Sequence, residues 1–418
     1  MNIKLRYGNK NIEFSLKDEN VAGVLYPQSK INKKAEEIIA QAMSAPISSE
    51  PLYKIVERKK PDSVAIIISD ATRPIPYKLM LPPVLNELHL AGIKSQQITI
   101  IIGTGCHRAN SCEETKLALG EDIIREYQVI NHNCDDELTS IGRLTDGTEL
   151  LINTMAAKAN LKIALGSIIP HKLAGYSGGS KAILPGISGR AAITANHSMM
   201  NDPRAAEGKW LNNPVRRQMD EAAKLAGLEY ILNVVCNENN QVMVAVAGDV
   251  ENAWQEGVKH CQQISSVSVP YKCPVTIISC GGYPRDLNVY QSIKSITNAS
   301  KLTEKRGTIV VVARCQDGYG DDIFCQWLKD AFRPEDLIER INNKFVLGGH
   351  KGSVVADIVK RHEVVLVSDL TEKEVKNLFM VYQPNINSAL RYVEKKHGPE
   401  YRAWVIPYAG LVLPKVER

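Results

Sequence analysis

At 418 residues the chain is long enough for roughly two to three domains with real cores. Its 44% hydrophobic and 23% charged residues are those of a globular protein, which argues against a disordered or fibrous chain. A net charge of +5 is small for this length, and the densest basic cluster, Arg58-Lys59-Lys60, is short enough for a solvated face, so no nucleic-acid partner is expected.

No apolar stretch reaches the ~18 residues of a membrane helix, and the opening MNIKLRYGNK lacks the apolar core of a signal peptide. The nine cysteines are odd in number and contain no C-x-x-C, which favours reduced, mostly buried thiols over a disulfide framework. The expectation is a cytoplasmic enzyme without a membrane partner.

In chain order, Lys4 to Leu16 alternates around Gly8-Asn9-Lys10-Asn11 and predicts a hairpin. Ile31 to Met43 reads as a helix. Val64 to Ser69 (VAIIIS) reads as a buried strand ending in Asp70-Ala71-Thr72-Arg73-Pro74, and Pro82 to Ala91 as a helix stopping at Gly92. A second strand, Ile98 to Ile102, ends in Gly103-Thr104-Gly105-Cys106-His107-Arg108. A third, Leu161 to Ile169, leads into PHKLAGYSGGSKAILPG (Pro170 to Gly186), and Ser188 to Met200 then reads as a helix carrying His197.

Strand, glycine or proline loop, and helix thus recur three times, with polar chemistry just after each strand. In open parallel α/β sheets ligands collect outside the carboxyl ends of the strands, so the three loops are expected to converge. Ile231 to Val235 and Val242 to Ala247 predict a hairpin. Val269 to Pro274, with two prolines, reads as a linker, after which the rhythm restarts. Val275 to Cys280, Thr308 to Ala313 and Glu363 to Ser368 read as strands, and Asn288 to Lys301 as a helix. The expected layout is α/β: a larger domain over 1–268 with a Rossmann-like sheet, and a smaller α/β domain over 272–400. The apolar tail, within 401–418, is expected to return to the first sheet.

The glycines of the central loop suit a backbone that approaches a ligand closely and aims N–H groups at phosphate. It is not a Walker loop: Ser180 separates Gly179 from Lys181, and Ala182 stands where Ser or Thr must hold magnesium. There is no good G-x-G-x-x-G either. His107, His171 and His197 lie in or just beyond loops expected at one sheet edge, and imidazole titrates near neutrality and binds metals. No H-x-x-x-H or C-x-x-C spacing supplies a zinc cage. Arg73 can clamp a carboxylate or simply pair with Asp70. Gln291 and Lys294 share one face of a helix. Cys106 beside His107 raises a nucleophilic Cys–His pair, although sequence neighbours often point apart.

DATRP (Asp70 to Pro74), GTGCHR (Gly103 to Arg108), PHKLAGYSGGSKAILPG, Asn196-His197 and Tyr290-Gln291 with Lys294 occur in one order along nearly the whole length. In these the chain resembles the nickel-dependent lactate racemase family of 2-hydroxyacid racemases and epimerases. The resemblance implies two domains with the active site in the cleft between them. It implies a cofactor, nickel held by pyridinium-3,5-bisthiocarboxylic acid mononucleotide (the nickel-pincer nucleotide), attached covalently through Lys181, with His197 as the protein's nickel ligand. It implies His107 and His171 as the acid/base pair on opposite sides of a 2-hydroxyacid whose Cα hydride moves to the cofactor and back. Arg73, Gln291 and Lys294 would hold the substrate carboxylate. Asp70, Ala71, Thr72, Arg73 and Tyr290 would belong to the cofactor site. Cofactor-building enzymes are the implied partners for loading.

The substrate side chain stays open, as do the roles of Tyr176, Cys106, His350 and Lys351. A longer dicarboxylate would need a further cation, for which Lys172, Arg108, His350 and Lys351 are candidates by sequence position. Two other classes fit the residues less completely: a nicotinamide-dependent 2-hydroxyacid oxidoreductase, and a non-catalytic nucleotide or metal sensor on the same scaffold.

Overall fold

The computed structural model describes residues 1–28 and 33–417. The chain divides into two compact units, Ser29–Ile264 and Met1–Gln28 with Ser265–Arg418. Both are α/β, and each is built on a six-stranded sheet.

In the first of these, the runs VAIIIS and ITIIIG form the adjacent parallel strands Val64–Ser69 and Ile98–Gly103, in register from Val64 opposite Ile98 to Ser69 opposite Gly103. Continuous β-branched runs of this kind suit strands covered on both faces. The full order is Val242–Gly248, Leu228–Cys236, Leu161–Ser167, Val64–Ser69, Ile98–Gly103, Gln128–Asn131. All pairs are parallel except the Val242–Gly248 edge, which runs antiparallel to Leu228–Cys236 as the predicted hairpin. Ile66, Ile68, Ile100 and Ile102 are buried against Met80, Leu81, Val84 and Leu88 of the helix Tyr77–Leu90. Burial of each such side chain contributes about 1.5–3 kcal/mol.

That helix begins a turn earlier than the expected Pro82 and carries Pro82 and Pro83 inside it. Tyr77, Met80 and Leu81 are buried, and the Tyr77 hydroxyl accepts a 2.7 Å bond from the backbone N–H of Ser69. Tertiary packing therefore outweighs the cost of two prolines. The helix expected over Ile31 to Met43 is Ala35–Ser44; Ile31 and Asn32 lie outside the described residues. The helix expected to carry His197 is Arg190–Ser198.

In the other unit the order is Val381–Tyr382, Glu363–Val367, Thr303–Val312, Cys273–Ser279, Ala403–Ile406, Val21–Val24, every pair parallel. Two boundaries differ from the sequence reading. The tail strand Ala403–Ile406 pairs with Cys273–Ser279 of this sheet rather than returning to the larger domain, and the first 28 residues belong with it. Ala403–Ile406 is buried at every position, so it needs a neighbour on each side, and Cys273–Ser279 and Val21–Val24 provide them. The stretch Val269 to Pro274 is no linker. It joins the strand Ser266–Val269, paired with Leu413–Val416, to Cys273–Ser279. Its prolines sit at strand ends, where a missing N–H costs little.

No described helix is long and apolar enough to cross a membrane. All nine cysteines are free thiols, with Cys134, Cys261, Cys273, Cys280 and Cys315 buried.

Candidate active site

The sheet of Ser29–Ile264 has one point where its strand order reverses. From Val64–Ser69 the chain moves outward through Ile98–Gly103 to Gln128–Asn131, then returns to place Leu161–Ser167 on the opposite side. Loops leaving neighbouring carboxyl ends at such a point diverge and open a crevice. The segments leaving there are Asp70–Arg73, Thr104–Arg108 and Ile168–Lys181. The second is tied to the chain just beyond the third: the N–H of Gly105 donates to the carbonyl of Gly186 over 2.9 Å.

Asp70 stands at the centre of this edge and is 6% exposed. Its Oδ2 is 2.8 Å from His107 Nδ1. Its Oδ1 accepts from the backbone N–H of Thr72 at 2.9 Å and from the Thr72 hydroxyl. Arg73 Nη1 donates to that same hydroxyl at 3.1 Å. Burial pushes the Asp70 carboxyl up, but the neighbouring His107, Arg73 and Thr72 outweigh it and hold the group well below the usual carboxylate range. A buried anion on Nδ1 keeps the His107 proton there and leaves the Nε2 lone pair as the basic site. Arg73 is thus no exposed partner of Asp70; the two join through Thr72. Sequence reading did not single out Asn110, whose Oδ1 receives the N–H of Ala71 at 2.9 Å, or Tyr77, which pins Ser69.

His171 sits in the short antiparallel pair Pro170–His171 with Gly175–Tyr176. Its Nδ1 accepts from the backbone N–H groups of Leu173 (3.3 Å) and Ala174 (3.2 Å). The neutral ring therefore carries its proton on Nε2, the opposite tautomer from His107.

Lys181 is half-buried on the turn Gly179–Ala182. Two of the glycines ahead of it, Gly178 and Gly179, leave no room for a side chain because protein packs against them. Gly178 has φ +79°, and a Cβ there would lie 2.5 Å from Asn233 Oδ1; one on Gly179 would lie 2.9 Å from Arg216 Nη2. Asn233, 1% exposed, accepts from the N–H of Gly179 at 2.7 Å. The fully buried Arg216 donates from Nη1 to the Gly178 carbonyl at 3.1 Å, with its guanidinium carbon 3.4 Å from the centre of the Trp254 ring. Trp254 Nε1 donates to the Ser177 carbonyl at 2.7 Å. The loop is clamped from beneath, and the turn that presents Lys181 is rigid by construction.

His197 Nδ1 lies 3.0 Å from the carbonyl of Ile193, four residues back on Arg190–Ser198. That bond fixes the proton on Nδ1 and the lone pair on Nε2, the usual arrangement of a metal-binding histidine. Among the described residues no group of three or more His, Cys, Asp or Glu side chains is placed to hold a metal. A metal at His197 would need its remaining ligands from a cofactor.

Tyr290, Gln291 and Lys294 belong to the other unit, on the helix Val289–Leu302. Asn288 caps it, accepting from the Gln291 N–H at 3.0 Å. Tyr290 and Lys294 are one turn apart and share a face. Lys351 Nζ lies 4.8 Å from the centre of the Tyr290 ring, and the buried His350 packs edge-on against it. Two of the four residues whose roles stayed open in the sequence, His350 and Lys351, thus pack against Tyr290.

Two family models cover most of the chain: lactate racemase N-terminal domain over residues 7–208 and lactate racemase C-terminal domain over 269–413. A lactate racemase of Thermoanaerobacterium thermosaccharolyticum is 35% identical over 97% of both chains, and one of Lactiplantibacillus plantarum is 34% identical over 97% of both. The solved apoprotein of the Thermoanaerobacterium thermosaccharolyticum lactate racemase superposes with a TM-score of 0.91 at 34% identity, covering 99% of this chain and 100% of that one. A protein of Thermotoga maritima shares the fold with a TM-score of 0.70 at 17% identity, over 91% of this chain and 98% of the other.

Proposed function

The chain belongs to the lactate racemase family and is an isomerase, and from that premise we propose that it interconverts the two configurations at C2 of lactate or a closely related 2-hydroxyacid. The observations that carry the reading are the Asp70–His107 pair and a second histidine, His171, whose own hydrogen bonds set the opposite tautomer.

The residues at hand suit the family's nickel-pincer nucleotide. His197 offers Nε2 to nickel, and Lys181 offers an amine on a rigid turn for covalent attachment. Sulfur and carbon donors from the cofactor would complete a set that the described residues do not supply, and soft donors suit nickel. Bound there, the group supplies a two-electron acceptor for the hydrogen on Cα.

The chain's own residues do the proton work. His107, with its lone pair on Nε2 and its Nδ1–H on Asp70, is set to take the hydroxyl proton of one enantiomer, and Asp70 stabilises the imidazolium that results. His171, once protonated on both ring nitrogens, gives its Nε2 proton to the keto oxygen presented on the other side and is left as the neutral ring. In the reverse direction the two exchange roles. Arg73 holds the carboxylate so that Cα keeps one position while its oxygen changes sides. A cytoplasmic setting suits nine free thiols.

The test is chiral analysis of a 2-hydroxyacid panel with protein co-expressed with cofactor-building enzymes. Conversion of either lactate enantiomer, or of a near homologue, to an equal mixture is expected. Loaded, nickel-containing protein that racemises no member of the panel would overturn the reading.

A further inference from the structure

Three segments that carry candidate residues are tied to the start of one helix, Pro214–Ala226. Arg216 holds the Gly178 carbonyl, ahead of Lys181, at 3.1 Å. Asn196, the fully buried residue before His197, donates from Nδ2 to the Val215 carbonyl and to Gln218 Oε1, each at 3.0 Å. The third tie runs from Asn213, which caps the helix, to the turn after His171.

Asn213 is fully buried, and its whole amide is engaged. Oδ1 accepts from the Arg216 N–H at 3.1 Å, and Pro214 follows at the start of the helix, where its missing N–H costs little. Nδ2 donates to the Leu173 carbonyl at 2.7 Å and to the Lys209 carbonyl at 2.9 Å. The Leu173 carbonyl and the Ala174 N–H are the two ends of one planar peptide group. That N–H is one of the two that donate to His171 Nδ1, at 3.2 Å. The Lys209 segment packs on the same hairpin: the Gly208 N–H donates to the Gly175 carbonyl at 3.1 Å, and a Cβ on Gly175 would lie 2.2 Å from the Lys209 carbonyl oxygen.

We propose that Asn213 is a positioning residue for His171. By fixing the tilt of the Leu173–Ala174 peptide it fixes the ring, with Nδ1 held by the turn and the Nε2 edge directed away from it. Only a side-chain amide offers an acceptor for the helix and two donors for the carbonyls from one small group. Without those donors the buried Leu173 carbonyl has lost its partner, the peptide rotates to find another, and the Ala174 N–H leaves Nδ1. The effect on turnover rests on the acid/base role of His171 proposed above; the effect on the ring does not.

The test uses the full chain, with and without cofactor, carrying histidine labelled at both ring nitrogens and followed by NMR. Asn213→Asp keeps the shape and the helix cap but removes both donors; Asn213→Ser keeps the cap in a smaller side chain. In the wild type the Nδ1 signal of His171, identified by its absence from His171→Gln, should be that of an unprotonated nitrogen. In both variants it should move to the average of two tautomers, while the His107 signals, set by Asp70, stay in place. In loaded protein kcat should fall about 10- to 100-fold in both directions, with KM, nickel content and cofactor mass unchanged. Should Asn213→Asp fail to fold, Asn213→Ser carries the comparison. Lower thermal stability or loading with the His171 signals unchanged would make Asn213 a structural residue only and overturn the proposal. Altered ring signals with kcat unchanged would overturn its effect on the reaction. Loaded wild type that racemises no 2-hydroxyacid would overturn the function proposed above and leave the ring result standing.

Discussion

Oδ2 of Asp70 and Nδ1 of His107 are 2.8 Å apart, joining the loop after one central strand to the loop after its neighbour. The family's pattern puts Asp70 in the cofactor site, whereas the geometry makes it the residue that orients His107, the proposed acid/base. The two roles separate in one variant. Asp70→Asn should lower kcat in both directions by about 10²–10⁴-fold, because the amide no longer stabilises the imidazolium. Nickel content after loading should stay at the wild-type level. Loss of nickel in parallel with activity would return Asp70 to the nucleotide.

The same carboxylate has a signature in stability. Its folded-state pKa is depressed, so its stabilising contribution is complete above the unfolded value near ~3.9 and disappears as pH falls below it. The stability difference between wild type and Asp70→Asn, measured by denaturant unfolding, should be constant from pH 7 to about pH 5 and shrink toward pH 2. A difference that grows on acidification would contradict the pairing.

The clamp beneath the Lys181 turn gives a third prediction. Gly178→Ala must place a Cβ 2.5 Å from Asn233 Oδ1 at φ +79° and should destabilise the unit by about 1–3 kcal/mol. Asn233→Ala removes the partner of the Gly179 N–H and should reduce covalent loading while the protein stays folded. Unchanged thermal unfolding of Gly178→Ala would show that the loop relaxes freely.

Lys181 and Lys294, proposed here for attachment and for the substrate carboxylate, lie in different units. Loaded protein should carry the added cofactor mass on the peptide containing Lys181, and Lys181→Ala should carry none covalently. An adduct on another lysine would end that assignment. Lys294→Ala should raise KM for a 2-hydroxyacid while leaving cofactor mass and nickel in place; loss of loading would move Lys294 to the cofactor.

Much of the α/β plan was legible because VAIIIS, ITIII and LKIALGS are unbroken apolar runs, each followed by polar or glycine loops. The candidate histidines His107 and His171 stood out for the same reason: they follow those strands. What was hidden depends on long-range contact. Nothing local says that Ala403–Ile406 pairs with Cys273–Ser279, since an apolar run fits any sheet with a vacant edge. The clamp was hidden too, because the reason for Gly178 and Gly179 lies more than thirty residues on, in Arg216, Asn233 and Trp254. Asn233 left a trace, a lone amide inside the apolar strand Leu228–Cys236.

The central claim is that His107 and His171 move only the hydroxyl proton and never the hydrogen on Cα. It is tested most directly with one enantiomer of lactate, or of the preferred 2-hydroxyacid, deuterated at C2 and turned over by loaded enzyme in ordinary water. The inverted product, analysed by chiral separation and mass spectrometry, should keep its deuterium. His107→Ala and His171→Ala should each slow inversion in both directions by about 10²–10⁴-fold without losing nickel. Inverted product in which the deuterium has been replaced by solvent hydrogen would show that a histidine takes the Cα proton itself, and would contradict the account.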